Sequence, residues 1–199
     1  MGLSKQAKTL TKAQIAAVTA HIGKARNGLR NQVILGLSVK AGLRAKEIAN
    51  LKWSMVLESD GEVGQYIRLT NDASKGRSGR IIPLNKELRS LICKLKQQAT
   101  KGTNFAPLEA NVIVSERSKA VSAQVIVNMF QKWYRELGLI GCSSHSGRRT
   151  FITNAAKKIT TVGGSLRDVQ FLAGHSSLNT TQRYIEGDSE ARARIVDII

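Results

Sequence analysis

A histidine and an arginine three residues apart, His145 and Arg148, occur in the segment His-Ser-Gly-Arg. On a helix, residues with this spacing lie on one face, so both side chains would point the same way. Such a pair can bind an oxyanion, because both groups donate hydrogen bonds and the guanidinium is permanently charged. Taken alone, the pair is more often part of a solvated basic helix face.

A second histidine and a tyrosine follow closer to the C-terminus. His175 comes directly after Gly174, and Tyr184 follows nine residues later in Thr-Thr-Gln-Arg-Tyr. A Gly-His turn would end one helix, and the next helix would present the tyrosine. Taken singly, His175 is typical of a helix-capping or core histidine, and Tyr184 of a half-buried packing residue.

Two further cations come earlier in the chain. Arg44 follows Gly42-Leu43 and precedes Glu47 by three residues, a spacing that is also typical of a surface ion pair of little energetic value. Lys75 lies in a polar, glycine-rich turn over residues 71–79, where a solvated loop charge is the common outcome.

The composition favours a polyanionic partner. The 199 residues include 31 Lys and Arg against 14 Asp and Glu, a formal net charge of +17. No apolar run approaches the ~20 residues of a membrane span, and no signal-peptide pattern opens the chain. We therefore expect a cytoplasmic protein with no membrane partner, associated with the nucleoid if its polyanionic partner is DNA.

The hydrophobic pattern predicts the elements that must position these side chains. A capping box at Thr11 and Gln14 starts the first helix, Gly42 occupies a left-handed C-cap position, and Gly138 ends another helix. The predicted helices are 12–22, 27–40, a short one from residue 44, 86–98, 122–137, 144–158, 165–172, 178–185 and 189 to the end. The predicted strands are 66–70 and 80–84. We expect a single, mostly helical α+β domain over residues 1–199, with one small antiparallel β-sheet.

Taken together, the motifs resemble the tyrosine recombinase (phage integrase) family over residues 11 to about 190. That family has G-L-R-x-x-E-[LI], a lysine in a hairpin before V-P-L, H-x-x-R, and L-G-H with a tyrosine nine residues after the histidine. The chain has the six corresponding positions in the same order: Arg44, Lys75, His145, Arg148, His175 and Tyr184. The resemblance implies the catalytic-domain fold of that family and a site-specific recombinase or integrase of a mobile genetic element.

The chemistry of DNA strand transfer suits these residue types. A five-coordinate phosphorus carries extra negative charge, which the planar guanidinium groups of Arg44 and Arg148 can hold. A tyrosine nucleophile, Tyr184, would form a covalent 3′-phosphotyrosine that conserves the bond energy. Acidic residues are few and scattered, and the two cysteines form no C-x-x-C, so we expect neither a metal nor another cofactor.

The resemblance also implies roles for the remaining positions. Lys75 would protonate the leaving 5′-oxygen, His145 would act as a general acid or base, and His175 would donate a hydrogen bond to the phosphate. Four further residues are expected to support the site or contact DNA: Glu47 as the supporting residue, and Arg77, Arg80 and Arg183 as DNA-binding residues. The expected partners are double-stranded DNA, further copies of the chain in a dimeric or tetrameric synapse, and accessory DNA-bending proteins.

The chain departs from the family pattern in two ways. Gly147 stands where Leu or Met is usual, so we expect looser packing around Arg148. Most members also carry an N-terminal helical DNA-binding domain of roughly a hundred residues, whereas the match begins near Thr11. Either this is a short form, similar to the fimbrial-switch invertases, or a larger part has been removed.

Two other functions and one structural role stay open at this point. A topoisomerase IB-like relaxing enzyme would use the same chemistry without synapsis, and a non-catalytic DNA-binding regulator could use the same fold. The tail over about 188–199, with apolar Ile195, Val196, Ile198 and Ile199, is expected to exchange between protomers or to dock on its own core.

Overall fold

The computed structural model describes residues 7–74, 78–100, 108–116, 118, 120–184 and 196. The elements that it describes are α1 (Lys12–Gly23), α2 (Gly28–Ala41), α3 (Ala45–Ala49), β1 (Tyr66–Leu69), β2 (Arg80–Pro83), α4 (Lys86–Ala99), α5 (Ala123–Glu136), α6 (Ser146–Lys158), α7 (Leu166–Ala173) and α8 (Leu178–Gln182). Short 3-10 helices cover Trp53–Met55 and Ile159–Val162. The predicted class, mostly helical with one small sheet, is confirmed.

The helix ends follow the predicted local chemistry. The capping box is present: the backbone amide of Gln14 donates to Thr11 Oγ1 (3.2 Å), and the Gln14 side chain accepts from the Thr11 amide (2.9 Å). Gly42 ends α2 with φ +66°, and a Cβ there would lie 2.4 Å from the Phe151 ring. A side chain at position 42 is thus excluded by both backbone conformation and space.

Two predicted boundaries differ from the structure, and a third prediction is not tested by it. His145 is the N-cap of α6 rather than a residue inside the helix, and it lines the same cavity as Arg148. The last described helix ends at Gln182, before the tyrosine rather than after it. The predicted helix from residue 189 lies outside the described residues except for Val196, of whose surface 69% is exposed.

The sheet is an antiparallel hairpin in which Ile67 pairs with Ile82 and Leu69 with Arg80. Side chains alternate across a strand, so Arg80 and Ile82 share one face. That face is buried, whereas Ile81 on the other face is half exposed. The hairpin therefore directs a charged side chain into the protein.

The described residues form two hydrophobic clusters. The main core surrounds α2, whose Val33, Ile34 and Leu37 are fully buried, and extends to α1, α3, α4, α5 and the hairpin. A much smaller cluster joins α6 to α7 through Ile152, Val169 and Ala173. Across the residues that the structure describes, no helix has the length and apolar character to cross a membrane.

Candidate nucleic-acid cleavage site

Glu47 organises one wall of the site from a fully buried position in α3. Its carboxylate accepts from the Arg44 backbone amide (2.8 Å) and from Arg44 Nη1 (2.8 Å). These two bonds fix both the start of α3 and the guanidinium of its N-cap residue. The surface ion pair that this spacing also allowed is excluded, because the Glu47 side chain has no exposed surface and Arg44 only 24%.

Arg80 was predicted to contact DNA, whereas the structure shows its side chain engaged in hydrogen bonds inside the protein. Its side chain is 1% exposed and forms two parallel hydrogen bonds to the Glu47 carboxylate, at 3.0 and 3.1 Å. Its Nε donates to the Leu172 carbonyl at 2.8 Å. The cause is the strand alternation that places Arg80 on the same inward face as Ile82.

Arg148 is held more tightly than its neighbour Gly147 led us to expect. Its two terminal nitrogens donate to the carbonyls of Gly42 and Ala173, both at 2.6 Å, and it is 4% exposed. Gly147 packs directly on α2, where a Cβ would lie 2.3 Å from Ser38 Oγ. The glycine therefore permits close helix contact, and the predicted looser packing is wrong.

Three consecutive carbonyls at the C-terminal end of α7 accept hydrogen bonds from three different arginines. Arg80 binds the carbonyl of residue 172, Arg148 that of residue 173, and Arg44 Nη2 that of residue 174 at 3.4 Å. The last carbonyls of a helix lack intrahelical partners and carry partial negative charge, so cations are stabilised there. Gly174, with φ +60°, gives the chain room beside the Arg80 guanidinium.

The charges of this cluster are unbalanced. Burial disfavours the charged form of Glu47, but the hydrogen bonds and charges of Arg80 and Arg44 outweigh it and hold the carboxyl pKa below its ordinary value. Burial, followed by the positive charge of Arg44, lowers the pKa of Arg148 to about 10. Among the described residues of this cluster, one carboxylate thus faces three cations, which leaves a net positive charge for an anionic ligand.

His175 and Tyr184 form the opposite wall. Their rings stack with centroids 5.5 Å apart and planes 24° from parallel, and the Arg149 guanidinium lies 5.9 Å from the tyrosine centroid. His175 Nδ1 lies 2.9 Å from the Thr181 hydroxyl. Burial, then the charges of Arg148, Arg44 and Arg80, lowers the pKa of His175 to about 4, so the imidazole is neutral at pH 7.

Two adjacent cavities open between these walls and share Thr180. The first, about 690 Å³, is lined by Arg44 and His175 together with Arg167 and Phe171. The second, about 340 Å³, is lined by four predicted residues, His145, Arg148, Arg183 and Tyr184. Ala7, Ser143 and Arg149 complete its lining. The structure therefore brings five of the six predicted catalytic residues to one cleft, with Arg183 exposed at its edge.

Lys75 and Arg77, the two remaining predicted residues, lie outside the described part of the chain. Three contacts near the cleft were not predicted, those of Thr181, Arg149 and the pair Ser38–Gly147. Thr181 lies in the short helix that follows the Gly-His turn, and its spacing alone does not predict its contact with His175. No group of three His, Cys, Asp or Glu suited to a metal occurs among the described residues.

Comparison with known proteins gives consistent results. Residues 8–190 match the phage integrase family. The chain is 31% identical over 206 residues to "Tyrosine recombinase XerC" of Shewanella sp. (strain ANA-3), covering 98% of this chain and 63% of that protein. It is 29% identical to "Tyrosine recombinase XerC" of Syntrophus aciditrophicus (strain SB), over 79% of this chain and 49% of that protein. The chain thus spans about half to under two thirds of these relatives.

Solved structures agree at the level of the fold. XerA recombinase superposes with a TM-score of 0.71 at 21% identity, over 94% of this chain and 63% of that one. XerH recombinase, bound to a palindromic difH substrate in a post-cleavage complex, gives 0.73 at 19% identity, over 100% of this chain and 55% of that one. With a family match over nearly its whole length, the chain belongs to the phage integrase family.

Proposed function

We propose that the chain is the catalytic domain of a site-specific DNA recombinase that cuts and rejoins DNA without a metal. The observation that carries this proposal is the convergence of Arg44, Arg148, His175 and Tyr184 on one cleft of net positive charge. Relatives named as tyrosine recombinases support it. We also propose that residues 1–199 form a single domain.

In the proposed reaction, Tyr184 Oη attacks the scissile phosphorus and the bond to the 5′-oxygen breaks. The products are a 3′-phosphotyrosine and a 5′-hydroxyl, and attack by a 5′-hydroxyl reverses the step and releases the tyrosine. Arg44 and Arg148 stabilise the phosphorane charge, because guanidinium groups already fixed by protein contacts need no reorganisation. Neutral His175 donates a hydrogen bond to a phosphate oxygen.

His145 is well placed for proton exchange at the second cavity. Its side chain is exposed, it lines the cavity beside Tyr184, and its amide is held by the Ser143 hydroxyl at 3.2 Å. We assign it the transfer of the Tyr184 proton, either directly or through water.

We assign to Lys75 the protonation of the leaving 5′-oxygen, and this role rests only on the resemblance to the tyrosine recombinase family. A 5′-bridging sulfur leaves without a proton, because a thiol has a pKa near ~8.5, far below that of an alcohol. Lys75→Ala should therefore cleave an ordinary substrate slowly and a 5′-bridging phosphorothiolate at close to the wild-type rate. Equal defects on both substrates would remove the acid role from Lys75.

Double-stranded DNA is the proposed substrate, and binding should depend steeply on salt. The net charge of +17 and the exposed Arg183 and Arg167 favour phosphate contacts. Each contact should contribute a slope of about −0.9 to log K against log salt. A flat profile between 50 and 200 mM salt would contradict an electrostatic interface.

Assembly of several copies on DNA, with accessory bending proteins at some sites, is a further part of the proposal. The apolar end of the tail, Ile195 to Ile199, would pack on a neighbouring protomer; only Val196 of it is described, and it is exposed. Deleting residues 195–199 should weaken assembly on paired sites and spare binding to a single site. Unchanged assembly, or an unfolded product, would assign the tail to its own domain.

The decisive experiment uses a nicked suicide duplex, from which the strand beside the cut diffuses away and traps the covalent adduct. A trapped adduct that carries the tyrosine peptide supports the proposal and excludes a non-catalytic regulator. Plasmids with one or two target sites then distinguish a recombinase from a topoisomerase IB-like enzyme. A topoisomerase relaxes a plasmid that has one site, whereas a recombinase yields exchanged products only from two sites.

A further inference from the structure

The hydroxyl of Thr181, a fully buried residue in α8, lies 2.9 Å from Nδ1 of His175. We propose that this hydroxyl donates its hydrogen to Nδ1 and thereby keeps the histidine proton on Nε2. Thr181 is then a positioning residue, which selects the tautomer of His175 that can donate to a phosphate. The functional part of the inference rests on the proposed recombinase reaction; the tautomer itself does not.

The direction of the bond between Thr181 and His175 follows from the partners available to the hydroxyl hydrogen of Thr181. Among the described residues, Nδ1 of His175 is the one hydrogen-bond partner of the Thr181 side chain. If Nδ1 carried the proton, the buried hydroxyl would accept that bond and its own hydrogen would lack an acceptor. A buried donor without an acceptor is destabilising, so donation from Thr181 is the favoured arrangement.

The position of the His175 ring determines what its tautomer can do, because Nε2 is the nitrogen available to a ligand. One face of His175 stacks on the Tyr184 ring, and the side chain lines the cavity that also holds Arg44. Within the described part of the chain, Nε2 has no hydrogen-bond partner, so this nitrogen is left for a ligand. With the proton on Nε2 the ring donates to a phosphate oxygen, whereas with the proton on Nδ1 it would present a lone pair to that oxygen.

The surrounding charges make the choice of tautomer matter at neutral pH. Burial, and after it the charges of Arg148, Arg44 and Arg80, lowers the pKa of the His175 ring to about 4 and keeps it neutral at pH 7. A protonated imidazole would donate from both nitrogens and would not need Thr181. A neutral one donates from a single nitrogen, so an adjacent hydroxyl determines which one.

The tautomer can be measured directly by nitrogen NMR. Long-range ¹H–¹⁵N correlation at pH 7.5 on the full chain distinguishes protonated from unprotonated ring nitrogens, and His175→Gln identifies this ring among the three histidines. We expect the Nε2–H form in the wild type and in Thr181→Ser, and a mixture or the Nδ1–H form in Thr181→Val. A wild-type Nδ1–H form, or an unchanged spectrum in Thr181→Val, would overturn the inference.

A kinetic measurement tests the functional half. Thr181→Val should lower the single-turnover cleavage rate about 10- to 100-fold, the usual cost of losing the group that orients a functional histidine, with DNA affinity nearly unchanged. Thr181→Ser should recover most of the rate. Thr19→Val, which removes a helical hydroxyl bonded to the Ile15 carbonyl at 2.8 Å, is the matched control and should cleave normally.

The two measurements separate the possible failures. In a His175→Gln background, Thr181→Val should have no further effect on cleavage, because both changes act through the same ring. An additional loss there would reduce Thr181 to a packing residue. If no variant cleaves DNA while the tautomer shifts as expected, the proposed reaction fails and the histidine–threonine pairing stands.

Discussion

The two walls of the cleft are anchored in different parts of the interior. The arginine wall, carried by α3 and β2, continues into the main core, where Leu43 and Ile48 have no exposed surface. The wall that carries His175 and Tyr184, formed by α7 and α8, rests largely on the small cluster around Ile152 and Val169. Arg148, on α6, is bonded to both sides, and Arg44 and Arg80 of the first wall also donate to carbonyls at the end of α7.

In the proposed reaction, the first wall would bind the phosphate and the second would supply the nucleophile, so the two tasks would rest on different parts of the interior. The arginines are fixed by buried hydrogen bonds and by a large apolar contact area, which contributes roughly 25 cal/mol for each Å² buried. Tyr184 follows a five-residue helix whose buried residue is Thr181. Elements with few buried contacts open at low free energy, so the nucleophile wall should open locally before the arginine wall does.

The largest expected effect is at the nucleophile. Tyr184→Phe removes the attacking oxygen and keeps the ring that stacks on His175. Covalent adduct on the suicide duplex should fall below detection, while the dissociation constant for DNA and the free energy of unfolding stay close to wild type. An adduct that persists in this variant would place the nucleophile elsewhere.

At Arg148, which joins the two walls, the substitution Arg148→Lys should show that geometry matters beyond charge. A lysine cannot reach the carbonyls of Gly42 and Ala173 simultaneously with one planar group, as Arg148 does. We expect the cleavage rate to drop about 10²- to 10³-fold, the usual cost of removing one preorganised transition-state contact. Single-turnover cleavage at saturating protein measures it, and a near-normal rate would show that charge alone suffices.

The charge balance of the arginine wall can be broken at Glu47. Glu47→Gln leaves the buried Arg80 and the partly buried Arg44 without a counter-charge, and should cost about 3–5 kcal/mol of unfolding free energy in urea. The control is Glu58→Gln, which loses a half-exposed pair with Arg68 and should cost at most about 1 kcal/mol. Similar losses in the two variants would contradict a special role for the buried carboxylate.

The pH dependence of that stabilisation has a defined sign. In the folded chain, burial opposes the charged form of Glu47, yet the bonds and charges of Arg80 and Arg44 keep its pKa below the unfolded value of about 4.3. The stabilisation is therefore present above about pH 4.3 and is lost as pH falls through the folded pKa. The difference in unfolding free energy between wild type and Glu47→Gln, measured in urea at several pH values, should therefore become smaller as the pH falls below about 4.3.

The smallest expected effect compares the two hydrophobic clusters directly. Ile152→Val in the small cluster and Ile34→Val in the main core each remove one buried methyl group, at about 0.5–1.5 kcal/mol. Amide hydrogen exchange should accelerate locally in α7 and α8 for the first variant, and across α2 and its neighbours for the second. Identical exchange patterns would show that the clusters open as one unit.

Much of the fold could be predicted from local sequence chemistry. Helix caps and glycine stops are determined by residues a few positions apart, so the capping box at Thr11 and the left-handed Gly42 were predicted correctly. The small sheet followed from alternation in Tyr66–Leu69 and Arg80–Pro83. The last helix was predicted too long, because its end depends on packing against α7 rather than on a residue that stops a helix.

The prediction of the site was less complete, because its contacts join distant parts of the chain. Arg80 was assigned to DNA from its position after a basic loop, although alternation with Ile82 already pointed it inward. The consequence of Gly147 was misjudged because its neighbour Ser38 is 109 positions earlier, and only the fold brings α2 against it. The family motifs name the residues of the cleft but not their hydrogen-bond partners.

The three carbonyls at the end of α7 have a mechanical consequence. Residues 172–174 are consecutive at the end of α7, and the carbonyl of each accepts a hydrogen bond from an arginine of a different element. A displacement of this segment would therefore act on all three arginines at once. In the proposed reaction, a substitution such as Val169→Ala, on the buried side of α7, would weaken phosphate binding although no arginine is changed.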